Sequence, residues 1–428
     1  MKQKGNAGFI AVRLAGTDGV SLESAKWENV LQAHGYTCFY LAGELDRPPE
    51  RSRLVPEAHF THPAVQDVYK GSFGRRVRSP ATTALITTLK DRLKAQIRAF
   101  ISEFDLDCLV IENALAIPMN LPFGLALTEV ISETGITTIA HHHDFFWERQ
   151  RFLTNCVWEY LNMAFPPHLP FVHHVVINSS ADNQLSLRMG ISATTIPNVM
   201  DFEHPSPESD DYAADVRQEL GIADDELFLL QPTRVVQRKG IEHAIELVSR
   251  LGLAAKLVVS HASGDEGQAY EQRVRNYSAI MGVDTLFISD RIGEQRGRTA
   301  NGDKIYTLAD IYPHADLVTY PSTFEGFGNA FLEAVYYRKP LVVNNYSIYH
   351  YDIKPKGFDC IELDGYVTEE AVARTRKVLC DSGLRKQMTE RNYELGRRHY
   401  SFSVLERKLT GLLEDCQSCR GACVCVAE

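Results

Sequence analysis

Two doubly wound α/β domains in tandem are the architecture this sequence predicts, and three observations predict it. Short apolar runs of strand length alternate with longer runs of helical spacing along almost the whole chain. The alternation changes character once, over 200–212, where Pro, Ser, Asp and Glu dominate as they do in linkers. A chain of 428 residues is also long for one hydrophobic core and ordinary for two. The expected division is therefore an N-terminal domain over 1–199, a linker over 200–212, a C-terminal domain over 213–400, a last helix over 401–415 and a cysteine-bearing tail over 416–428.

The first domain opens with a strand over 8–14, a turn holding Gly16 and Gly19, and a helix over 21–34 with Ser21 as its N-cap. A strand over 37–41 follows, and then an irregular region, 44–78, rich in Pro, His and Arg, before a helix over 81–104. Arg75, Arg76 and Arg78 form a basic cluster there, which reads either as a grip on an anionic acceptor or as a solvated charge run. The strand over 108–112 ends at Glu112-Asn113, at the sheet edge where α/β proteins bring ligands. After a helix over 122–133, the strand over 137–141 runs into His142-His143-Asp144. Three successive histidines raise a metal site, but strand alternation puts only His141 and His143 on one face and no further spaced ligand follows, so no metal is expected. Arg149 and Arg151 come directly afterwards and read as acceptor-binding groups or as exposed charges at a helix start. A strand over 174–178, a helix over 179–189 and a short strand over 194–196 complete the domain.

The second domain repeats the pattern: strand 225–233, helix 241–251, strand 256–260, helix 266–281, strand 285–289, helix 305–314 and strand 315–320. Further strands over 341–344 and 360–363 and helices over 368–380 and 383–400 follow. The chemistry is expected after 315–320. Gly326 and Gly328 sit in a strand-to-helix turn, where backbone N–H groups can approach an anion closely and the helix start adds partial positive charge. Glu325 and Glu333 bracket that turn. A carboxylate beside a phosphate is costly unless it has another task, and accepting hydrogen bonds from vicinal hydroxyls is one. A phosphate and two diols together make a nucleotide sugar.

Glu325-Gly326-Phe327-Gly328 followed by Glu333 resembles the paired-glutamate signature of the retaining glycosyltransferases of family 4, and Arg234 with Lys239 resembles that family's cation pair. His143-Asp144 is similar to the His-Asp dipeptide many of its members carry, and 196–201 to their crossover segment. The resemblance implies the GT-B fold, two Rossmann-like domains facing a central cleft, with the final helix crossing back to the first domain. It implies transfer of a hexose from a nucleoside-diphosphate sugar, of UDP-glucose or GDP-mannose type, to an acceptor hydroxyl with retention. Arg234 and Lys239 would hold the leaving diphosphate, where fixed cations stabilise the transition state more than the ground state. His143 and Glu325 would contact the donor sugar, and Gly16, Gly19, Gly326, Phe327, Gly328 and Glu333 the rest of the donor. Asn113, Arg149, Arg151 and Arg76 are the acceptor candidates, and no catalytic metal or other cofactor is implied. The rivals are a nucleotide-sugar epimerase or hydrolase of the same fold, and a catalytically silent nucleotide-sugar-binding protein.

Composition narrows the partners. A formal charge of −10 argues against a general nucleic-acid binder. No apolar run reaches the length of a membrane span, and the helix over 81–104 mixes Asp91 among Lys90, Arg92, Lys94 and Arg98 rather than showing a membrane face. A cytoplasmic protein with a small soluble acceptor, neutral or anionic, is expected. Nine cysteines, an odd number, fit reduced thiols, and Cys416, Cys419, Cys423 and Cys425 read as a tail of free thiols or as a zinc site. The oligomeric state is not legible.

Overall fold

Seven short strands build the first sheet: β1 (Gly5–Ile10), β2 (Tyr36–Ala42), β3 (Ser52–Leu54), β4 (Cys108–Glu112), β5 (Thr137–His142), β6 (Val172–Val176) and β7 (Thr194–Thr195). They run in the order β3-β2-β1-β4-β5-β6-β7, and every pairing is parallel. A computed structural model of the chain describes residues 4–16, 19–263 and 268–424, with side chains described as far as 414, Gln268 apart. The chain divides into two compact units, residues 1–198 with 405–428 and residues 199–404. β4 is buried at every residue, as expected of an interior strand covered on both faces.

Helix Pro80–Glu103 shows how the sequence fixes these elements. Ser79 caps it by accepting the Thr82 N–H at 3.1 Å, Pro80 occupies the first turn where no donor is needed, and Ile86, Leu89, Leu93, Ile97 and Phe100 turn inward at helical spacing. Lys90 and Lys94 meet Glu129 of helix Leu121–Thr134 at 2.6 and 2.9 Å, and Arg98 pairs with Glu133. Lys90, Lys94 and Arg98 are thus engaged by a neighbouring helix. No helix among the described residues is long and apolar enough to cross a membrane.

The second unit holds β8 (Leu227–Gln231), β9 (Ala255–Val259), β10 (Asp284–Phe287), a hairpin of β11 (Gly297–Arg298) and β12 (Lys304–Ile305), then β13 (Leu317–Tyr320), β14 (Leu341–Asn344) and β15 (Ile361–Leu363). Its main sheet runs β10-β9-β8-β13-β14-β15, again all parallel. Helix Ile241–Leu251 lays Ile241, Ala244, Ile245, Val248 and Leu251 into its core. Each large aliphatic chain there contributes about 1.5–3 kcal/mol by leaving water.

Several expectations are corrected. The first helix is Gly19–Ala33, so Ser21 lies inside it and donates its hydroxyl to Ala15 O at 3.2 Å instead of capping. The region 44–78 is not irregular throughout: β3 extends the sheet, and helix Pro63–Ser72 begins with proline in its first turn. The helix expected over 305–314 is a single turn, Leu308–Ile311, because β12 takes its start and a tighter turn through Pro313 its end. The stretch 200–212 packs within the second unit rather than hanging free: Phe202 meets Tyr336 and Tyr393 edge-on, and Tyr212 Oη donates to Gly297 O and Ile305 O at 2.8 and 3.0 Å. The final helix runs Phe402–Val424. Cys425 lies outside the described residues, as do the side chains of Cys416, Cys419 and Cys423. Among the described cysteines Cys38, Cys156, Cys360 and Cys380 carry free thiols.

Candidate active site

The strand order of the second sheet reverses between β8 and β13, so the loops leaving them, 232–240 and 321–328, open the crevice where doubly wound sheets take ligands. These loops are stitched together. Thr323 donates to Arg238 O from its N–H at 2.8 Å and from Oγ1 at 3.2 Å. Gly240 permits the approach: its φ is 60°, and a Cβ there would lie 2.4 Å from Pro321 O. Beneath them, Thr319 Oγ1 donates to Gln231 Oε1 at 2.7 Å and Gln231 Nε2 to Thr233 Oγ1 at 2.8 Å, a buried chain that fixes both strand ends.

Lys239 and Glu325 meet at this point. Lys239 Nζ donates to Glu325 Oε1, Arg238 Nη1 stands 3.2 Å from Oε2, and Nζ lies 5.5 Å from the centre of the Tyr320 ring. Burial pushes the Glu325 carboxyl up, but the charges of Lys239 and Arg238 outweigh it and hold the group below its ordinary range. Burial pulls the Lys239 ammonium down, and Arg238 and Arg234 push the same way against the pull of Glu325. Arg234 is exposed, and among the described residues no carboxylate pairs with it. Two cations therefore gather about one carboxylate, and Arg234 adds its charge beside Lys239.

Gly328 stands before helix Asn329–Tyr336 with φ 129°, and a Cβ there would lie 2.6 Å from Tyr346 Oη. That hydroxyl donates to Phe327 O at 2.8 Å. The Phe327 side chain is buried, its ring 5.3 Å from that of Tyr400, so it belongs to the core and only its backbone borders the loop with Gly326. Glu333, one turn into the helix, accepts from Tyr312 Oη at 2.7 Å.

In the first unit the order reverses between β1 and β4. Gly16 has φ 73° and donates its N–H to Asp46 Oδ2 at 2.8 Å; Thr17 and Asp18 lie outside the described residues, and Gly19 opens the helix. Glu112 ends β4 opposite His141 in register. Its Oε2 lies 3.0 Å from His141 Nδ1 and 3.2 Å from His143 Nε2, and Trp27 stacks on His141 with ring centres 4.3 Å apart. Alternation did place His141 and His143 together, but the expectation that no third ligand accompanies them is corrected: Glu112 comes from the neighbouring strand. The three ligand atoms lie within 4.8 Å of one another, a set that could hold a metal ion.

The same trio is an ion network without one. Burial pushes Glu112 up, yet the two histidines hold it well below the carboxylate range. Burial lowers His143, yet the hydrogen bond and charge of Glu112, helped by Glu23 and Asp144, raise it above its ordinary value. Asn113 braces the neighbouring turn at φ 59°: its N–H donates to His141 O at 2.9 Å, its Oδ1 accepts from His143 N at 3.1 Å, and its Nδ2 donates to Asp144 Oδ1 at 2.9 Å. Asp144 also pairs with Arg149. Arg151 is exposed, with Nη2 2.8 Å from Met119 Sδ. Arg75 and Arg78 are used locally, on Lys70 O at 2.7 Å and on Cys156 O at 3.1 Å, while Arg76 is exposed beside them.

Two groups at the second switch point escaped the sequence reading. Arg238 was hidden among three neighbouring cations. His261 stands two residues past the end of β9, with Nδ1 2.7 Å from Ser260 Oγ, and its signal was its place after a strand adjacent to β8.

Two sheets of this order define a class, that of the GT-B glycosyltransferases. A glycosyltransferase from Rickettsia africae ESF-5 matches 97% of this chain and 99% of its own with a TM-score of 0.70 at 13% identity. Residues 298–395 match the family described as Glycosyl transferases group 1. The chain is 32% identical over 422 residues to the mannosylglucosylglycerate synthase of Thermotoga maritima, covering 91% of this chain and 95% of that one. It is 29% identical over 391 residues to the mannosylglucosylglycerate synthase of Petrotoga mobilis, covering 83% and 86%. The chain belongs to the group 1 glycosyltransferases, and it is an enzyme.

Proposed function

We propose that this enzyme is a retaining glycosyltransferase of family 4 that moves a hexose from a nucleoside-diphosphate sugar to a hydroxyl of a small anionic acceptor. The pairing of Arg238 and Lys239 with Glu325, with the exposed Arg234 beside Lys239, is the observation that carries the reading. In the reaction, the bond between the anomeric carbon and the phosphate oxygen breaks and the diphosphate leaves with the electron pair. The acceptor oxygen attacks from the same face, and its proton passes to the departing phosphate oxygen. Negative charge grows on the diphosphate, where preorganised cations are worth most. The N–H groups around Gly326, Gly328 and the following helix start would hold the phosphates, with Gly16 and Gly19 in the same task from the first unit. Glu325 would accept from hexose hydroxyls, sharing Lys239 with the donor, and Glu333 would accept from the ribose. His143, held by Glu112, would contact the hexose. With charge supplied by side chains, the transfer needs no metal.

The relatives' name narrows the substrates. Mannosylglucosylglycerate contains a mannosyl unit, a glucosyl unit and a glycerate carboxylate, so we infer a mannose donor of GDP-mannose type and a glucosylglycerate acceptor. Arg151 and Arg76 are exposed guanidinium groups suited to that carboxylate. Arg149 would have to exchange Asp144 for it, and Asn113 serves as a brace rather than a direct contact. The test is incubation with GDP-mannose, UDP-mannose, GDP-glucose and UDP-glucose, each with glucosylglycerate, and detection of products by mass. Addition of one hexose from GDP-mannose is expected. Hydrolysis or epimerisation of the donor, or no turnover of any of the four, would sink the proposal.

A further inference from the structure

We propose that His261 is a further contact to the donor's diphosphate and that it takes up a proton when the diphosphate binds. The inference rests on the donor reading above and deepens it at one residue.

The backbone places His261 beside the cations. Gln231 and Val259 are partners in the parallel register of β8 and β9, so 260–262 leave the sheet next to 232–234. Two hydrogen bonds pin that neighbourhood: Ser260 N–H donates to Gln231 O at 3.3 Å, and Val235 N–H donates to Ala262 O at 3.2 Å. His261 is therefore held between two tied residues at the C-terminal edge, beside the topological switch point. Ser260 Oγ engages Nδ1, and among the described residues Nε2 has no hydrogen-bond partner.

Its electrostatic surroundings are one-sided. Burial, then Arg234, then Lys239 hold the imidazole below its ordinary range, and no carboxylate is among the groups that act on it. Arg238 and Glu325 lie one step further out, both bound to each other or to Lys239. The ring is neutral in the empty site at pH 7. A nucleoside diphosphate brings two to three negative charges among the same cations, and an anion within a few ångströms favours the protonated ring. Nε2 then becomes a charged donor. By linkage, diphosphate affinity falls as pH rises through the bound-state value, and a variant without the imidazole lacks that slope.

The experiment is titration calorimetry of the full-length protein with UDP and with GDP at pH 7, in two buffers of different ionisation enthalpy, for wild type and His261→Asn. The diphosphates' own ionisation is common to both proteins and cancels in the difference. Wild type is expected to take up more protons than the variant and to bind about tenfold or more tightly, the size of one charge-assisted hydrogen bond. Should His261→Asn fail to fold, His261→Gln replaces it. Equal proton counts in wild type and variant would overturn the inference and leave the donor reading standing. Binding of neither UDP nor GDP to the wild type would overturn the donor reading, and this inference with it.

Discussion

The two switch points are electrostatic opposites. In the second unit a carboxylate, Glu325, pairs with both Arg238 and Lys239, and Arg234, exposed to solvent, adds its charge beside Lys239. In the first unit a single carboxylate, Glu112, is shut away between two histidines with no exposed side-chain surface. An acid with surplus cations around it can hand a cation to an arriving anion. A fully buried acid with partners on one oxygen can only hold its neighbours in place. The same topology thus offers one end built to exchange partners and one built to keep them.

That contrast breaks first if Glu112 proves dispensable. Glu112→Ala leaves the buried histidines without their counter-ion, and a loss of about 3–5 kcal/mol is expected in urea unfolding. Lys239→Ala should do the reverse: turnover about 10² to 10³ lower by analogy with lost oxyanion donors, with a melting temperature close to wild type. A melting loss comparable to that of Glu112→Ala, with normal turnover, would show that Lys239 is structural.

pH sharpens the comparison. Glu112 is depressed in the fold, so its stabilisation is present above the unfolded value of about 4.3 and lost as pH falls through the folded value. His143 is raised, so its stabilisation is full below about 6.5 and lost as pH rises through the folded value. The stability gap between wild type and Glu112→Gln should therefore be wider at about pH 5.5 than at about pH 8.5. A constant gap would mean that the trio is not an ion network.

Smaller effects follow. Gly240→Ala forces a side chain onto Pro321 O from a left-handed backbone, and a cost of about 1–2 kcal/mol together with weaker diphosphate binding is expected in melting and calorimetry. Glu333→Ala should weaken sugar-bearing donor and bare diphosphate alike, whereas Glu325→Ala should hurt the sugar-bearing donor more. Equal losses for both ligands in both variants would show the two roles misassigned.

Periodic segments were the legible part of the fold. Helices Ile241–Leu251 and Ser179–Met189 and strand β14 were read to the residue, because apolar spacing bounded by Gly240, Gly252, Gly190 and Pro340 leaves little choice. Helix Pro63–Ser72 was missed because prolines and histidines around it mimic a loop, although Pro63 is a regular helix start. At the site, residue types after β13 were legible, but pairings across the sheet were not. Lys239 finds Glu325, 86 residues away, and Glu112 finds His141 on the neighbouring strand, which only strand order and register determine. Phe327 was implied as a donor contact by the resemblance, yet its ring has a core to enter.

Retention is the central chemical claim, and proton NMR of the product tests it most directly. With GDP-mannose and glucosylglycerate as substrates, the new glycosidic linkage should carry the α configuration of the donor's anomeric carbon from the earliest time points. A β-linked product would contradict the same-face displacement proposed for this enzyme.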